Sequence, residues 1–396
     1  MPSIAPGVLR CWFQIAGYYA ASFAVLGVYM QFFPVWLHEA RGLGEQDVAI
    51  VMAAQTIART VAGPFWSHRV DRLGDARRVL VWLSCASLPA FALFGASTAV
   101  PACCVAAFVF GSLYSPSYPI LDAAAMQAAH ERGFAFGRVR MVGSLAYLVI
   151  LLGSGSALDA LGIAAVYPAL LVGLGMMALA AFALPASAPH GAGPAPVGVP
   201  WWTLLRSRQF VLLLAASAAI QGSHATFYNL STVHWGAHGI SKTTASWLWA
   251  EGIVAEIVVF ALGRSVAERV RPTTLMLLGG AGAVVRWLLV GSVTSVPLLF
   301  ATNWLHGLSF AATYIGTLRA LERRVAPGQR ATAQGLLGAA TSGIGMVVCG
   351  LLGGAVYQRA QGAAFHVMAG FAVLGIGVTW LVRRAADRGA TAGSSS

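Results

Sequence analysis

Six side chains stand where chemistry is possible in an otherwise apolar sequence: Asp122, Arg140, Glu251, Glu256, Arg286 and His306. Each falls inside a long apolar run. A charge at the centre of a bilayer costs about 2.5–3.5 kcal/mol on insertion scales, so it persists where it is paired or faces a water-filled cavity. Acid, base and imidazole at one depth can hold a proton or anchor an anion. A buried pair can also do no more than lock helices together.

Spacing sorts them. Asp122 and Arg140 flank a turn near Glu131 by nine residues each, so antiparallel helices bring them to the same depth. Arg286 and His306 flank the turn near Val296 by ten residues each, and Glu256 and Arg286 flank the turn near Arg271 by fifteen each. Glu256, Arg286 and His306 therefore share a level. Glu251 sits five residues before Glu256, about 7.5 Å along the helix and about 140° around it, so the two glutamates cannot face one point. Depth favours Glu256 as the neighbour of Arg286.

The elements that carry these residues follow from composition. The chain has 396 residues, 58% hydrophobic and 10% charged, where a soluble chain carries roughly a quarter charged. Apolar spans run near 11–37, 46–66, 78–98, 101–128, 138–158, 163–184, 209–233, 244–263, 273–292, 296–318, 331–355 and 363–382. This predicts an all-α membrane protein of twelve transmembrane helices. Residues 1–184 form a first six-helix bundle, 185–208 a cytoplasmic Pro/Gly/Ala linker, and 209–396 a second bundle with a short cytoplasmic tail. A weak repeat, GPFWSHRVDRLG from Gly63 and GRSVAERVRP from Gly263, relates the halves.

The net charge of +12 comes from arginine clusters between spans, which is the excess of cytoplasmic positive charge that orients membrane helices and not a nucleic-acid surface. Both termini are expected in the cytoplasm of a bacterial cell, with the chain in the inner membrane and working as a monomer. Five cysteines inside apolar runs offer neither a disulfide framework nor Cys or Cys/His metal spacing. No nucleophile–base pairing, zinc-protease helix or phosphate-binding loop occurs, so no enzyme activity, no metal and no cofactor is expected.

Arg140 and Arg286 suit a carboxylate through bidentate bonds. Tyr18 and Trp249 are expected substrate contacts among the rings of the spans, which include Tyr19, Tyr114, Phe227, Tyr228, Trp287 and Trp304. Gln14, Gln31, Gln221, Asn229 and Asn303 would equally suit a sugar or nucleoside. Pro116 and Pro119 loosen the fourth span just before Asp122.

The stretch from Gly63 to Arg78, with Asp71, Arg72, Gly74, Arg77 and Arg78, resembles the loop signature of the major facilitator superfamily. FGRVRMVGS from Phe136, with Asp122 before it, and LHGLSF around His306 resemble the lactose permeases. FFPVWL at Phe32, LDAAA at Leu121, QGSHATFYNLSTVHW at Gln221, WLWAEGIVAEIVVFAL at Trp247 and VVRWLLVG at Val284 resemble, more closely, the 3-phenylpropionic acid transporter family.

The resemblance implies proton-coupled symport of a small organic, aromatic acid by alternating access. Its substrate cavity would be touched by Asp122, Arg140, Glu256 and Arg286, with His306 nearby, and Gly63, Asp71 and Arg72 would act in gating. Proton coupling falls to Glu256, His306 and Glu251; alignment with the lactose permeases favours Glu251, the phenylpropionate family Glu256. The lactose permeases place a proton-carrying carboxylate three residues beyond the histidine, where this chain has Ser309. A proton-coupled sugar or nucleoside permease and drug efflux by antiport are the alternatives.

Overall fold

A computed structural model describes residues 6–186, 202–326 and 329–393, with backbone alone for residues 6, 71, 262–268, 331 and 386–393. Among the described residues no strand occurs. The helices are α1 (Pro6–Glu39), α2 (Glu45–Leu73), α3 (Ala76–Ala96), α4 (Val100–Tyr114), α5 (Ser117–Arg132), α6 (Phe136–Leu161) and α7 (Val166–Phe182). There follow the short α8 (Trp202–Leu205), then α9 (Arg208–Gly222), α10 (Ala225–Ala237), α11 (Lys242–Arg269), α12 (Pro272–Ser292), α13 (Val296–Asn303), α14 (Thr313–Glu322), α15 (Arg330–Gly338), α16 (Met346–Ala360) and α17 (Ala363–Gly393). Most of the linker expected at 185–208, residues 187–201, lies outside the described residues.

Eleven helical runs among the described residues are long and apolar enough to cross a bilayer. The tenth expected span is interrupted instead: α13 stops at Asn303, a π turn covers Gly307–Ala312, and α14 resumes at Thr313. Three other spans are also broken. The fourth parts at Ser115 and Pro116, where proline removes a donor from the ladder. The seventh parts at Ser223 and His224 between α9 and α10, and the eleventh carries a π turn over Ala339–Gly345. Broken helices in a membrane protein need neighbours to satisfy the freed backbone, and they concentrate where function sits.

The chain divides into two units. The first comprises Met1–Leu43, Ala54–Ala195 and Ser241–Ser246. At its centre α1 packs on α6 and α7. Gly27 permits the approach to α6, since a Cβ there would stand 3.0 Å from the Tyr147 carbonyl oxygen. Tyr29, Phe33, Phe91, Phe94 and Phe110 form a buried ring cluster, with Tyr29 and Phe33 stacked at 4.7 Å. Lipid is as apolar as these rings, so close packing and not exclusion of water holds them together.

The second unit comprises Gly44–Ala53, Pro196–Ile240 and Trp247–Ser396. Here α12 and α9 pack on α17, with a core that includes Phe210, Leu213, Met276, Leu321 and Leu337. In both units large apolar side chains are exposed, among them Trp82, Val149, Leu179 and Ile344. A water-soluble protein does not display so much apolar surface; a bilayer solvates it.

Gly307 opens the π turn of the second unit directly against α11. A Cβ at this position would stand 2.5 Å from the Ala255 carbonyl oxygen and 2.9 Å from Val259 Cγ2. Gly307→Ala is therefore expected to destabilise the protein by about 1–3 kcal/mol through overpacking. Thermal unfolding in detergent measures this, with Gly338→Ala as control because nothing lies within 4 Å of a Cβ there. Equal midpoints for the two variants would show that α11 gives way freely.

Candidate functional site

In the first unit, α5 ends at Gly133, whose φ of 73° suits glycine, and α6 starts three residues later. This tight reversal sets α5 and α6 antiparallel, and Asp122 Oδ1 meets Arg140 Nε at 3.4 Å. Tyr19 Oη donates to the same carboxylate oxygen at 2.5 Å. The Arg140 guanidinium lies 4.3 Å from the centre of the Phe23 ring, and its Nη1 is 3.4 Å from Ser144 Oγ. The side chains of Arg140 and Asp122 are 34% and 40% exposed, so the pair is open on one side.

Tyr18 lies elsewhere. Its hydroxyl bonds Ser84 Oγ at 2.7 Å in the packed interior, and Ser84 in turn donates to the Leu80 carbonyl. Successive helical residues point about 100° apart, so Tyr19 faces the ion pair and Tyr18 faces α3.

In the second unit, Arg286 of α12 is 1% exposed. Its Nη1 lies 2.9 Å from His306 Nδ1, and its Nη2 donates to Asn303 Oδ1 at 3.2 Å. Guanidinium only donates, so His306 Nδ1 must accept and the imidazole is neutral with its proton on Nε2. That Nε2 points at Glu256 Oε2, 3.6 Å away. The order in space is Arg286, His306, Glu256. Glu256 is thus at the level expected, with His306 standing between it and the arginine.

Aromatic rings wall this cation. Arg286 Cζ is 4.3 Å from the Phe227 ring centre and 4.7 Å from that of Trp287. Trp249 continues the wall, 5.6 Å from Phe227 and 5.9 Å from Tyr228. Several polar atoms here are buried without a partner: Arg286 Nε, Asn303 Nδ2, Trp249 Nε1, Gln221 Oε1 and Glu251 Oε2. Buried polar atoms normally find partners, so this set can receive hydrogen bonds from or donate them to water or a bound molecule. Glu251 lies beside Trp304 and does not join the Arg286–His306–Glu256 series.

His224 belongs to this site, and spacing arithmetic gives no sign of it. It sits at the break between α9 and α10, fully buried, with Nδ1 3.2 Å from the Ile220 carbonyl oxygen and Nε2 3.2 Å from Ser309 Oγ. A carbonyl only accepts, so Nδ1 carries the proton. Its ring is 5.6 Å from that of His306. The usable signal is a histidine and two serines within otherwise apolar spans.

At the loop between α2 and α3, α2 runs through to Leu73, Gly74 takes a φ of 62°, and Asp75 caps α3 by accepting from Arg78 N at 3.1 Å. Gly63 lies inside α2 with nothing within 4 Å of a Cβ, and Arg72 is exposed on the last turn. The Asp71 side chain lies outside the described residues.

Residues 12–368 match the MFS_1-like family. The chain belongs to that family. It is 28% identical to the probable 3-phenylpropionic acid transporter of Escherichia coli (strain K12), over 89% of this chain and 93% of that protein. It is also 28% identical to the maltose permease of Geobacillus stearothermophilus, over 96% and 94% of the two chains. Among solved structures, the nucleoside transporter NupG superposes with a TM-score of 0.83 at 15% identity, covering 94% of this chain and 98% of that one. The MFS_1-like protein is therefore an all-α, multi-pass membrane transporter of the major facilitator fold and not an enzyme.

Proposed function

We propose that this MFS_1-like transporter is a proton-coupled symporter of a small aromatic acid of the phenylpropionate class. It works by alternating access, as a monomer in the bacterial inner membrane, with both termini cytoplasmic. The two six-helix bundles expected at 1–184 and 209–396, with the linker 185–208 between them, are the moving parts. The proton gradient is the energy source, and no cofactor takes part.

One observation carries the reading. Arg286 is a buried cation between aromatic faces with its Nε–H unpartnered. A carboxylate supplies the missing acceptor, and a flat apolar body suits Phe227, Trp249 and Trp287. Glu256 carries the proton, His306 relays it, and Glu251 is the second candidate. Asp122 and Arg140 are the first unit's own candidate substrate contacts, with Tyr19 in the place given to Tyr18 from sequence. Gly63, Asp71 and Arg72 serve gating. The Escherichia coli relative, a probable 3-phenylpropionic acid transporter, supports this substrate class.

A sugar or nucleoside is the second reading, favoured by the unpartnered amide atoms of Gln221 and Asn303 and by the maltose and nucleoside transporters the chain resembles. Uptake of labelled phenylpropionate into proteoliposomes under an inward proton gradient separates them. A weak acid enters protein-free liposomes unaided, so those are the baseline. Uptake above baseline that a protonophore abolishes is expected. Proton-driven accumulation of a neutral sugar or nucleoside, with phenylpropionate at baseline, overturns the first reading in favour of the second.

A further inference from the structure

Two histidines lie away from this site. Near its end α10 carries His234, and His238, four residues on, is the capping residue just past the last helical residue, Ala237. Their ring centres are 4.6 Å apart. His238 Nδ1 lies 2.8 Å from the His234 carbonyl oxygen. Since a carbonyl only accepts, that Nδ1 holds the ring proton and His238 Nε2 presents a lone pair.

His234 also uses Nδ1 for a protein oxygen, that of a phenol. Its Nδ1 is 3.0 Å from Tyr357 Oη, and the phenol oxygen can accept from it, which leaves Nε2 as the free nitrogen. The His234 ring is held edge-on by Tyr357 at 5.7 Å and Phe365 at 5.3 Å. A histidine that binds a metal through one nitrogen almost always donates the other ring N–H to a protein or water oxygen, which fixes tautomer and orientation. His238 meets that condition before any ion arrives, and His234 meets it in the tautomer that donates Nδ1–H to Tyr357 Oη. His234 is 3% exposed, whereas His238 is exposed at the helix end and leaves an entry path.

We propose that His234 and His238 bind a divalent transition-metal ion, of the class of Zn2+, Ni2+ and Cu2+, through their Nε2 atoms. Two imidazoles four residues apart, here at the last turn of α10 and its cap, have the spacing by which helical zinc motifs present two ligands to one ion. Among the described residues no group of three His, Cys, Asp or Glu side chains gathers. Water therefore completes the coordination, and the ion exchanges freely. Imidazole ligands select Cu2+ over Ni2+ and Zn2+, and those over Mn2+; hard Mg2+ and Ca2+ are refused. The Cys and Cys/His spacings expected of metal sites do not include this pair.

The test is direct titration of Zn2+ and Cu2+ into detergent-purified protein lacking a polyhistidine tag. Calorimetry gives affinity and number, and electron paramagnetic resonance of the Cu2+ complex gives the nitrogen ligands. The expected result is one ion per chain, Cu2+ bound tightest, with coupling to two imidazole nitrogens. His238→Gln, at the exposed end of the helix, is expected to weaken Zn2+ at least about tenfold and to leave one coupled nitrogen. Tyr357→Phe keeps both ligands and is expected to weaken binding less, because only the orienting oxygen is lost. Unchanged Zn2+ affinity in His238→Gln overturns the proposal, as does wild-type binding no tighter than that of the His234→Gln/His238→Gln double variant.

Discussion

In Glu256→Gln, proton-driven accumulation of substrate is expected to disappear while exchange of labelled for unlabelled substrate across the membrane continues. An inward gradient of two pH units can drive about a hundredfold accumulation through electroneutral symport of one proton, since each unit is worth a factor of ten. Glutamine keeps the shape of glutamate and an amide oxygen that can still face His306 Nε2, 3.6 Å away in the wild type. It cannot take up or release a proton. The moving parts would thus cycle with substrate alone, and the variant would equilibrate its cargo without concentrating it. Glu251→Gln is the partner experiment. Its carboxylate stands apart from the Arg286–His306 series, so accumulation is expected to survive; the opposite pattern in the two variants would assign the proton to Glu251.

The depth of these residues was legible in the sequence and their azimuth was not. Counting from the turn places Asp122 level with Arg140, and the two meet at 3.4 Å. The same counting puts Glu256, Arg286 and His306 at one level but gives no order around the helices, and His306 proves to be the one in the middle. Tyr18 and Tyr19 show the same limit: neighbours in sequence, they face Ser84 and Asp122 respectively, about 100° apart.

Helix breaks were legible only where a residue type announces them. Pro116 marks the one between α4 and α5; nothing comparable marks Ser223 and His224 or the π turn at Gly307, where tertiary contacts with α11 and α12 decide. His224, which the spacing did not single out, lies at one of those breaks, and Ser309 and Asn303 lie at or beside another. The eleven apolar runs were legible because bilayer thickness imposes a length and a composition on each helix separately.

Arg286→Lys tests the substrate anchor with the second large effect. Lysine keeps the charge but replaces a planar fork with a point cation, so it cannot serve His306 Nδ1, Asn303 Oδ1 and an incoming carboxylate together. Hydrogen bonds to charged groups are worth about 1.5–3 kcal/mol, so loss of one or two predicts binding of phenylpropionate weakened by about a hundredfold. Arg286→Ala is the poorer probe. It strands His306 Nδ1 and Asn303 Oδ1 inside the second unit at about 1–3 kcal/mol each, and a fall in thermal stability would then mask the change in binding. The decisive comparison is between phenylpropionate and its uncharged amide. Wild type is expected to bind the acid far more tightly, because only the carboxylate satisfies a buried cation whose Nε lacks a partner. In Arg286→Lys the two affinities should converge. If the acid keeps its full advantage in the lysine variant, the fork is not the anchor. The half-exposed Arg140, paired with Asp122 over the Phe23 ring, is then the cation that reads the substrate charge.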